Sequence, residues 1–227
     1  STVEMLQQFL TSFANMLASN EQYRQTVITM RNEHRGGNHR NNRDRPDPLL
    51  KVEWCRVIDH PEAGAAIVVV TEPELHVIRL RPKSSASLQA VGSKIYMGID
   101  HSQREVVQDV LGFARIRDLS NAASQELPLV IQQMIEESPD VFVQQFFNRA
   151  GNLSLKMHAF ELLPGVGNKK ALEMVASRGR VGWESFAQLD EDCNINAAEL
   201  LARRFVSEIE DRGLQPRLLD LLLRQGE

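Results

Sequence analysis

The tetrapeptide Pro164-Gly165-Val166-Gly167 interrupts an otherwise helical apolar pattern, and it limits what the C-terminal part of the chain can become. Upstream, "NLSLKMHAFELL" sets Leu155, Ala159, Leu162 and Leu163 at helical spacing, which predicts a helix ended by Pro164 and Gly165. Downstream, "NKKALEMVASRG" predicts a second helix, with Ala171, Leu172 and Val175 facing inward and Gly179 closing it. Four residues between two helices read as a helix-hairpin-helix within residues 151–227. Gly165 and Gly167 tolerate positive φ and leave no Cβ over the turn. The first N–H groups of the second helix lack intrahelical partners and lie at the positive end of its dipole, where an anion fits. Pro164, Gly165, Val166, Gly167, Asn168, Lys169 and Lys170 are therefore expected to hold a nucleic-acid phosphate, without reading base sequence. A turn used only for packing, or for binding protein, has the same outline.

"WESFAQLDEDCNINAAELLARRFVSEIEDRG" (183–213) predicts a short helix, a polar turn, and a longer helix beginning near Asn194–Asn196. It reads as a degenerate partner of the first hairpin. Trp183 and Phe186 are expected in the core. Leu218–Leu223 forms an apolar finish, either a last docked helix or a partner contact.

Residues 49–100 have another character. "LLKVEWCRVIDH", "AAIVVVTEPELHVIRLRP" (with a turn at Thr71–Glu74) and "GSKIYMGID" are short β-branched runs separated by Pro and Gly. They predict a small antiparallel barrel, OB-like or S1-like. Lys51, Trp54, Arg56, Lys94 and Tyr96 form a candidate basic-aromatic face for single-stranded nucleic acid. The opposing possibility is that the two rings are core and the charges are merely solvated. Residues 101–150 read as a helical connector, with helices over "REVVQDVLGFARI", "NAASQELPLVIQQMIEES" and "PDVFVQQFFNRAG". Pro139 suits the start of the third, and Gly151 its end.

At the other end, Val3, Leu6, Leu10, Phe13 and Leu17 make an amphipathic stripe, so residues 1–30 are expected to be a docking helix for a protein partner. Its first 20 residues contain no Lys or Arg, which opposes a transit peptide or a membrane-surface helix. Residues 31–48 read as a basic flexible linker. Arg31, Arg35, Arg40, Arg43 and Arg45 outnumber its carboxylates, and arginine-rich tracts of this kind order on RNA. Arg40, Arg43 and Arg45 join the candidate RNA contacts. With a net charge of −4, any polyanion site must be a local basic patch. Cys55 and Cys193 have no metal or disulfide spacing and read as idle thiols of a reducing compartment. No apolar run approaches a membrane span. The first residues have no secretory pattern, and the start without Met fits a processed organellar protein or a trimmed chain. The expected location is intracellular, in the mitochondrial matrix or the cytoplasm.

The stretch "LSNAASQELPLVIQQMIEESPDVFVQQFFNRAGNLSLKMHAFELLPGVGNKKALEMV" resembles the C-terminal half of a family of uncharacterised archaeal proteins. The likeness runs through Leu119, Asn121, Ala122, Glu126, Leu127 and Pro128. It continues in "FFNRAG" and "HAFELLPGVG", and "WESFAQL" resembles the segment that follows in the family. It covers roughly residues 49–190 and is strongest from 117. The resemblance implies an OB-like barrel joined to a helix-hairpin-helix, and a non-enzymatic RNA binder connected with translation or ribosome biogenesis.

The sequence therefore predicts an α+β chain: N-terminal helix, small antiparallel barrel, and C-terminal all-α helix-hairpin-helix domain. The expected function is a non-catalytic RNA-binding accessory or assembly factor within a ribonucleoprotein such as an assembling ribosome. Its expected partners are a structured RNA such as rRNA and a protein for the first helix, with no cofactor. A protein-interaction scaffold is the alternative, and a DNA-repair protein a weaker one. Asp190, Glu191 and Asp192 lie where a helix-hairpin-helix glycosylase keeps its catalytic Asp, but no His accompanies them, and carboxylates there suit helix capping. His158 and Glu161, at i and i+3, could each offer one metal contact, but no further ligands accompany them, and His158 reads as a buried histidine satisfied by hydrogen bonding.

Overall fold

In the computed structural model the described residues are 48–223. The docking helix expected over 1–30 and the basic linker, with Arg40, Arg43 and Arg45, lie outside them, apart from Pro48. A 3₁₀ turn, Pro48–Lys51, leads into five antiparallel strands: β1 (Trp54–Asp59), β2 (Ile67–Glu72), β3 (Val77–Pro82), β4 (Lys94–Tyr96) and β5 (Val107–Phe113). Their spatial order is β4-β1-β2-β3-β5, curled into a half-barrel. β5 pairs with β3 across two irregularities, at Arg79/Leu80 and Arg81/Pro82. Such bulges sharpen the local twist and help the sheet to curl.

β5 corrects the helix expected over "REVVQDVLGFARI". The apolar residues there fit either period, but Val106, Val107 and Val110 favour a strand. Gly112 has φ +115°, which no α-helix contains. The sheet accordingly runs on to Phe113, past the boundary expected at residue 100.

Strand alternation sends side chains to two sides. Cys55, Val57, Ile67, Val69, Ile78 and Leu80 fill the inside of the curl. Ile58, Val70, Leu75 and Val77 point the other way and share a core with the helices. The first of these, α1 (Asn121–Glu136), buries Ala123, Leu127, Val130, Ile131 and Ile135 at helical spacing. It begins at Ser120, whose Oγ accepts from Ala123 N at 3.0 Å and donates to Asp59 Oδ2 at 2.7 Å, pinning the helix start to the end of β1. Pro128 lies inside it, as the sequence indicated.

The third expected helix is divided. Pro139 opens a short α2 (Pro139–Phe142), which widens into a π-turn over Val143–Phe147. That turn points Phe146 and Phe147 at Phe160, with ring centroids 6.4 and 6.1 Å away. The helix expected over "NLSLKMHAFELL" is replaced by a two-stranded hairpin, β6 (Asn152–Ser154) and β7 (Met157–His158), and one 3₁₀ turn, Ala159–Leu162. Leu155, expected on an inner face, stands fully exposed at the hairpin tip. His158 explains the short element. Its Nδ1 accepts from Phe160 N at 3.1 Å while Glu161 Oε1 accepts from His158 N at 2.7 Å, a reciprocal cap that starts a helix at Ala159, only four residues before Leu163.

After the turn come α3 (Asn168–Arg178), α4 (Phe186–Cys193), α5 (Ala197–Glu210) and α6 (Leu218–Leu222). The helix pair expected over 183–213 is α4 and α5, joined through Asn194 in the left-handed region. Trp183 is buried as expected, while Phe186 is partly buried against the same core. The apolar finish docks through buried Leu218 and Leu219. On α3 the inner residues are Ala171 and Met174; Leu172 is 59% exposed, which corrects the expected face. Besides the cluster inside the curl, the sheet shares a core with the helices, and the described residues lie within one compact unit.

Candidate nucleic-acid interface

The turn before α3 carries the first candidate surface. Leu163 N donates to Phe160 O at 3.0 Å and Val166 N to Leu163 O at 3.1 Å, closing two successive tight turns. Gly165 takes φ +80°, where an L side chain is strained. Gly167 does not: at φ −90° it is extended backbone and serves as the N-cap of α3, which corrects the expectation of two left-handed glycines. A Cβ at either glycine would meet nothing within 4 Å. The first helical bond of α3 is Ala171 N to Gly167 O, 2.9 Å, and no side chain caps the end. The N–H groups of Asn168, Lys169 and Lys170 thus stand ahead of the helical ladder at its positive pole.

The other members of the expected set divide. Gly165, Gly167, Asn168 and Lys169 are exposed, Pro164 is half-buried, and Val166 is a buried anchor. Lys170 is not free to meet a phosphate. Its Nζ donates to Cys193 O at the C-terminal end of α4 and lies 3.8 Å from Glu173. The ammonium satisfies a helix-end carbonyl, so only one of the two expected lysines faces outward. On the Pro164–Val166 side the turn borders an open groove whose rim includes Glu161, Glu210 and Asp211. These carboxylates repel an anion there and leave the Gly167–Lys169 side as its approach.

The second surface is on the sheet. Trp54 opposes Tyr96 and Arg56 opposes Lys94 across β1 and β4, so all four share one face by strand alternation. Trp54 is 41% exposed, which overturns the core alternative for that ring. It meets Tyr96 edge-on at 5.3 Å, and Lys94 Nζ lies 5.3 Å from the indole centroid. Gly98 makes room for the tyrosine: a Cβ there would fall 2.3 Å from Tyr96 Oη. Lys51 is exposed on the preceding 3₁₀ turn.

Arg56 departs from expectation. It is buried, with Nε donating to Glu72 Oε1 and both Nη atoms to Glu137 at the end of α1. Burial acts to lower its pKa, but the hydrogen bonds it donates to Glu137 and Glu72 outweigh it and the net shift is upward. In return, Arg56 holds Glu137 below the ordinary carboxylate range. Arg56 therefore ties sheet to helix, with three of its N–H donors committed to the two carboxylates.

The acidic run has structural work. Asp190 Oδ1 accepts from Ala197 N at 2.7 Å, capping α5, and Asp192 Oδ2 accepts from Trp183 Nε1 at 3.1 Å. Burial raises the Asp190 pKa, against the pull of the Ala197 hydrogen bond. Among the described residues no group of three or more His, Cys, Asp or Glu is disposed to hold a metal ion, and no helix is long and apolar enough to cross a membrane. Cys55 and Cys193 are both buried and free, and burial pushes both thiols up.

His158 is buried as a hydrogen-bonded pair with Glu161, and its pKa is lowered from 6.5, first by burial and then by nearby Arg178. A depressed histidine leaves full stability above the unfolded value and loses it as pH falls through the folded one. Thermal melts from about pH 7.5 down to about pH 5.5 will show that loss. His158→Asn, which keeps an acceptor for Phe160 N without titrating, will make the decline shallower. An equal decline in both proteins would assign it to other groups.

A curled antiparallel half-barrel fused through one core to a helical C-terminal half, with an exposed aromatic–cation face, defines the class: a mixed α+β protein with two candidate polar surfaces. The family model described as "Protein of unknown function (DUF655)" matches residues 59–217, and the chain belongs to that family. It is 25% identical over 140 residues to the uncharacterized protein MJ0038 of Methanocaldococcus jannaschii, a match covering 62% of this chain and 63% of that one. It is similar to the crystal structure of Af1531 from Archaeoglobus fulgidus, a member of the same family, with TM-score 0.65 and 25% identity over 74% of this chain and 98% of that one. The resemblance to an uncharacterised archaeal family is thereby established.

Proposed function

We propose that this protein is a non-catalytic binder of single-stranded RNA, acting as an accessory or assembly factor in a ribonucleoprotein such as an assembling ribosome. The observation that carries this reading is the exposed Trp54 ring, flanked by Tyr96 and Lys94 on a sheet face. An accessible indole beside an ammonium suits a base above and a phosphate alongside. The half-barrel then works as an OB-like platform. The uncapped start of α3 with Lys169 is a second grip, for the sugar-phosphate chain, in the manner of a helix-hairpin-helix. Net charge of −4 makes the attachment local and dependent on other subunits.

Binding of single-stranded RNA by the full chain, measured against salt, tests this. Trp54→Ala will weaken binding by about 1–3 kcal/mol, as loss of one stacked base does. Lys169→Glu will reduce the log–log salt slope by about 0.7–0.9, the share of one neutralised phosphate. RNA affinity that is absent, or indifferent to both changes, refutes the proposal.

A scaffold reading is favoured by one observation: Leu172 and Val181, on and just after α3, are both exposed. It requires a protein partner whose affinity is insensitive to Lys169→Glu.

A further inference from the structure

Between the aromatic face of the sheet and the end of α1 lies a cavity of about 450 Å³, within the range of roughly 300–1,000 Å³ usual for small-molecule sites. Trp54 forms one wall, Leu75, Met134 and Phe142 contribute apolar lining, and Lys94, Glu72 and Glu137 stand around it with the ion-paired Arg56. Greasy walls with charged groups of both signs suit a flat ring that carries a polar edge.

The hydrogen bonds already made define what edge that is. Lys94 has three donors, and Glu72 Oε2, at 2.6 Å, takes one. Glu137 Oε1 accepts from Arg56 Nη1 at 3.1 Å and from Gln133 Nε2 at 3.0 Å, while Oε2 accepts from Arg56 Nη2 alone. Each Glu72 oxygen has one cationic partner. Spare donors on an ammonium therefore adjoin spare lone pairs on two carboxylates. A pyrimidine offers a single donor group beside its acceptors, and adenine only its 6-amino group. Guanine presents the acceptor O6 next to two donors, N1–H and the 2-amino group, so it fits the arrangement most fully.

Resting on the RNA-binding reading, we infer that this cavity takes one unstacked guanine base. The base lies against Trp54, directs O6 to Lys94, and donates N1–H and the 2-amino group to Glu72 and Glu137. Binding at Trp54 is then selective for guanine, where stacking alone accepts any base.

The test has a nucleotide arm and an RNA arm, both with the full chain. In the first, guanosine monophosphate is titrated while the indole N–H resonances are observed. The exposed Trp54 signal will shift and that of buried Trp183 will stay, and uridine monophosphate at the same concentration will move neither. In the second, a uridine oligonucleotide with one central guanosine will bind about tenfold more tightly than its inosine counterpart, the effect of losing one good base-edge contact. Glu137→Ala, which removes the acceptor, will remove the difference between guanosine and inosine. Because inosine alters only the ligand, that comparison stands even if the variant folds poorly. No Trp54 shift with guanosine monophosphate, or equal affinity for guanosine and inosine oligonucleotides, overturns the inference. RNA binding that stays sensitive to Trp54 and Lys169 without base preference overturns the guanine pocket and leaves the RNA-binding reading intact.

Discussion

Gly167→Asp will raise the thermal stability of the protein slightly and abolish the salt-dependent hold on RNA proposed for the α3 turn. Gly167 is the N-cap of α3 in extended backbone, at φ −90° and ψ 177°, with open space where a Cβ would be. Aspartate adopts that conformation without strain, and its carboxylate accepts from the N–H groups that now lack a partner. A capping side chain in place of glycine is worth a few tenths of a kcal/mol, and a negative charge at a helix start adds about 0.3–1 kcal/mol. The same carboxylate occupies the place of the phosphate and repels the next one. Stability and affinity therefore move in opposite directions. Melting curves together with RNA titrations at low salt measure both. If Gly167→Asp binds RNA as the wild type does, α3 plays no part in binding. A loss of both affinity and stability would reflect damaged structure and count against the phosphate site as well.

Glu208→Ala will destabilise the fold more than any surface change, by about 3–5 kcal/mol, the penalty for breaking a buried ion pair. Glu208 has no exposed surface. Its Oε1 accepts from Arg204 Nε at 2.7 Å and Leu218 N at 2.9 Å, and its Oε2 from Leu219 N at 2.9 Å. One carboxylate thus neutralises a buried guanidinium and caps the start of α6. Arg204 in turn donates Nη2 to Pro216 O at 2.7 Å, binding the connection between α5 and α6 to the helix beneath it. Alanine leaves a buried cation and two N–H groups without acceptors. For a unit of this size each kcal/mol moves the melting temperature by about 2–4 °C, so the drop is on the order of 10 °C. Glu210→Ala, two residues along on the exposed side of α5, will stay within about 0.5 kcal/mol. Comparable melting points for the two variants would remove Glu208 from the clasp.

The parts read correctly from sequence were those in which local chemistry and tertiary packing agree. α1 was legible as a helical segment in "NAASQELPLVIQQMIEES", and α3 through the glycines of the turn before it and Gly179 at its end. Trp54, Arg56, Lys94 and Tyr96, expected on one face, do share one, although nothing in the sequence revealed that Arg56 would pair with Glu137, 81 positions away in the chain. Two helices were expected where strands formed. In residues 107–113 the apolar pattern fits both periods, and pairing with β3 decided between them. In residues 152–163 the reciprocal cap of His158 and Glu161 was the missed signal, because histidine is an unusual N-cap. Lys170 was misassigned for a related reason: its partner, the Cys193 carbonyl, belongs to a helix whose placement only the fold determines.

The common core of sheet and helices has a mechanical corollary. Ile58, Val70, Leu75 and Val77 share a buried core with α1 residues, so the sheet that carries the indole and the helices that carry the α3 turn pack as one unit. On the RNA-binding proposal, a strand that touches both surfaces has to match their fixed order in this fold, by bending or by splaying a loop. Selection among RNAs would then rest on the contour of the strand as much as on its letters.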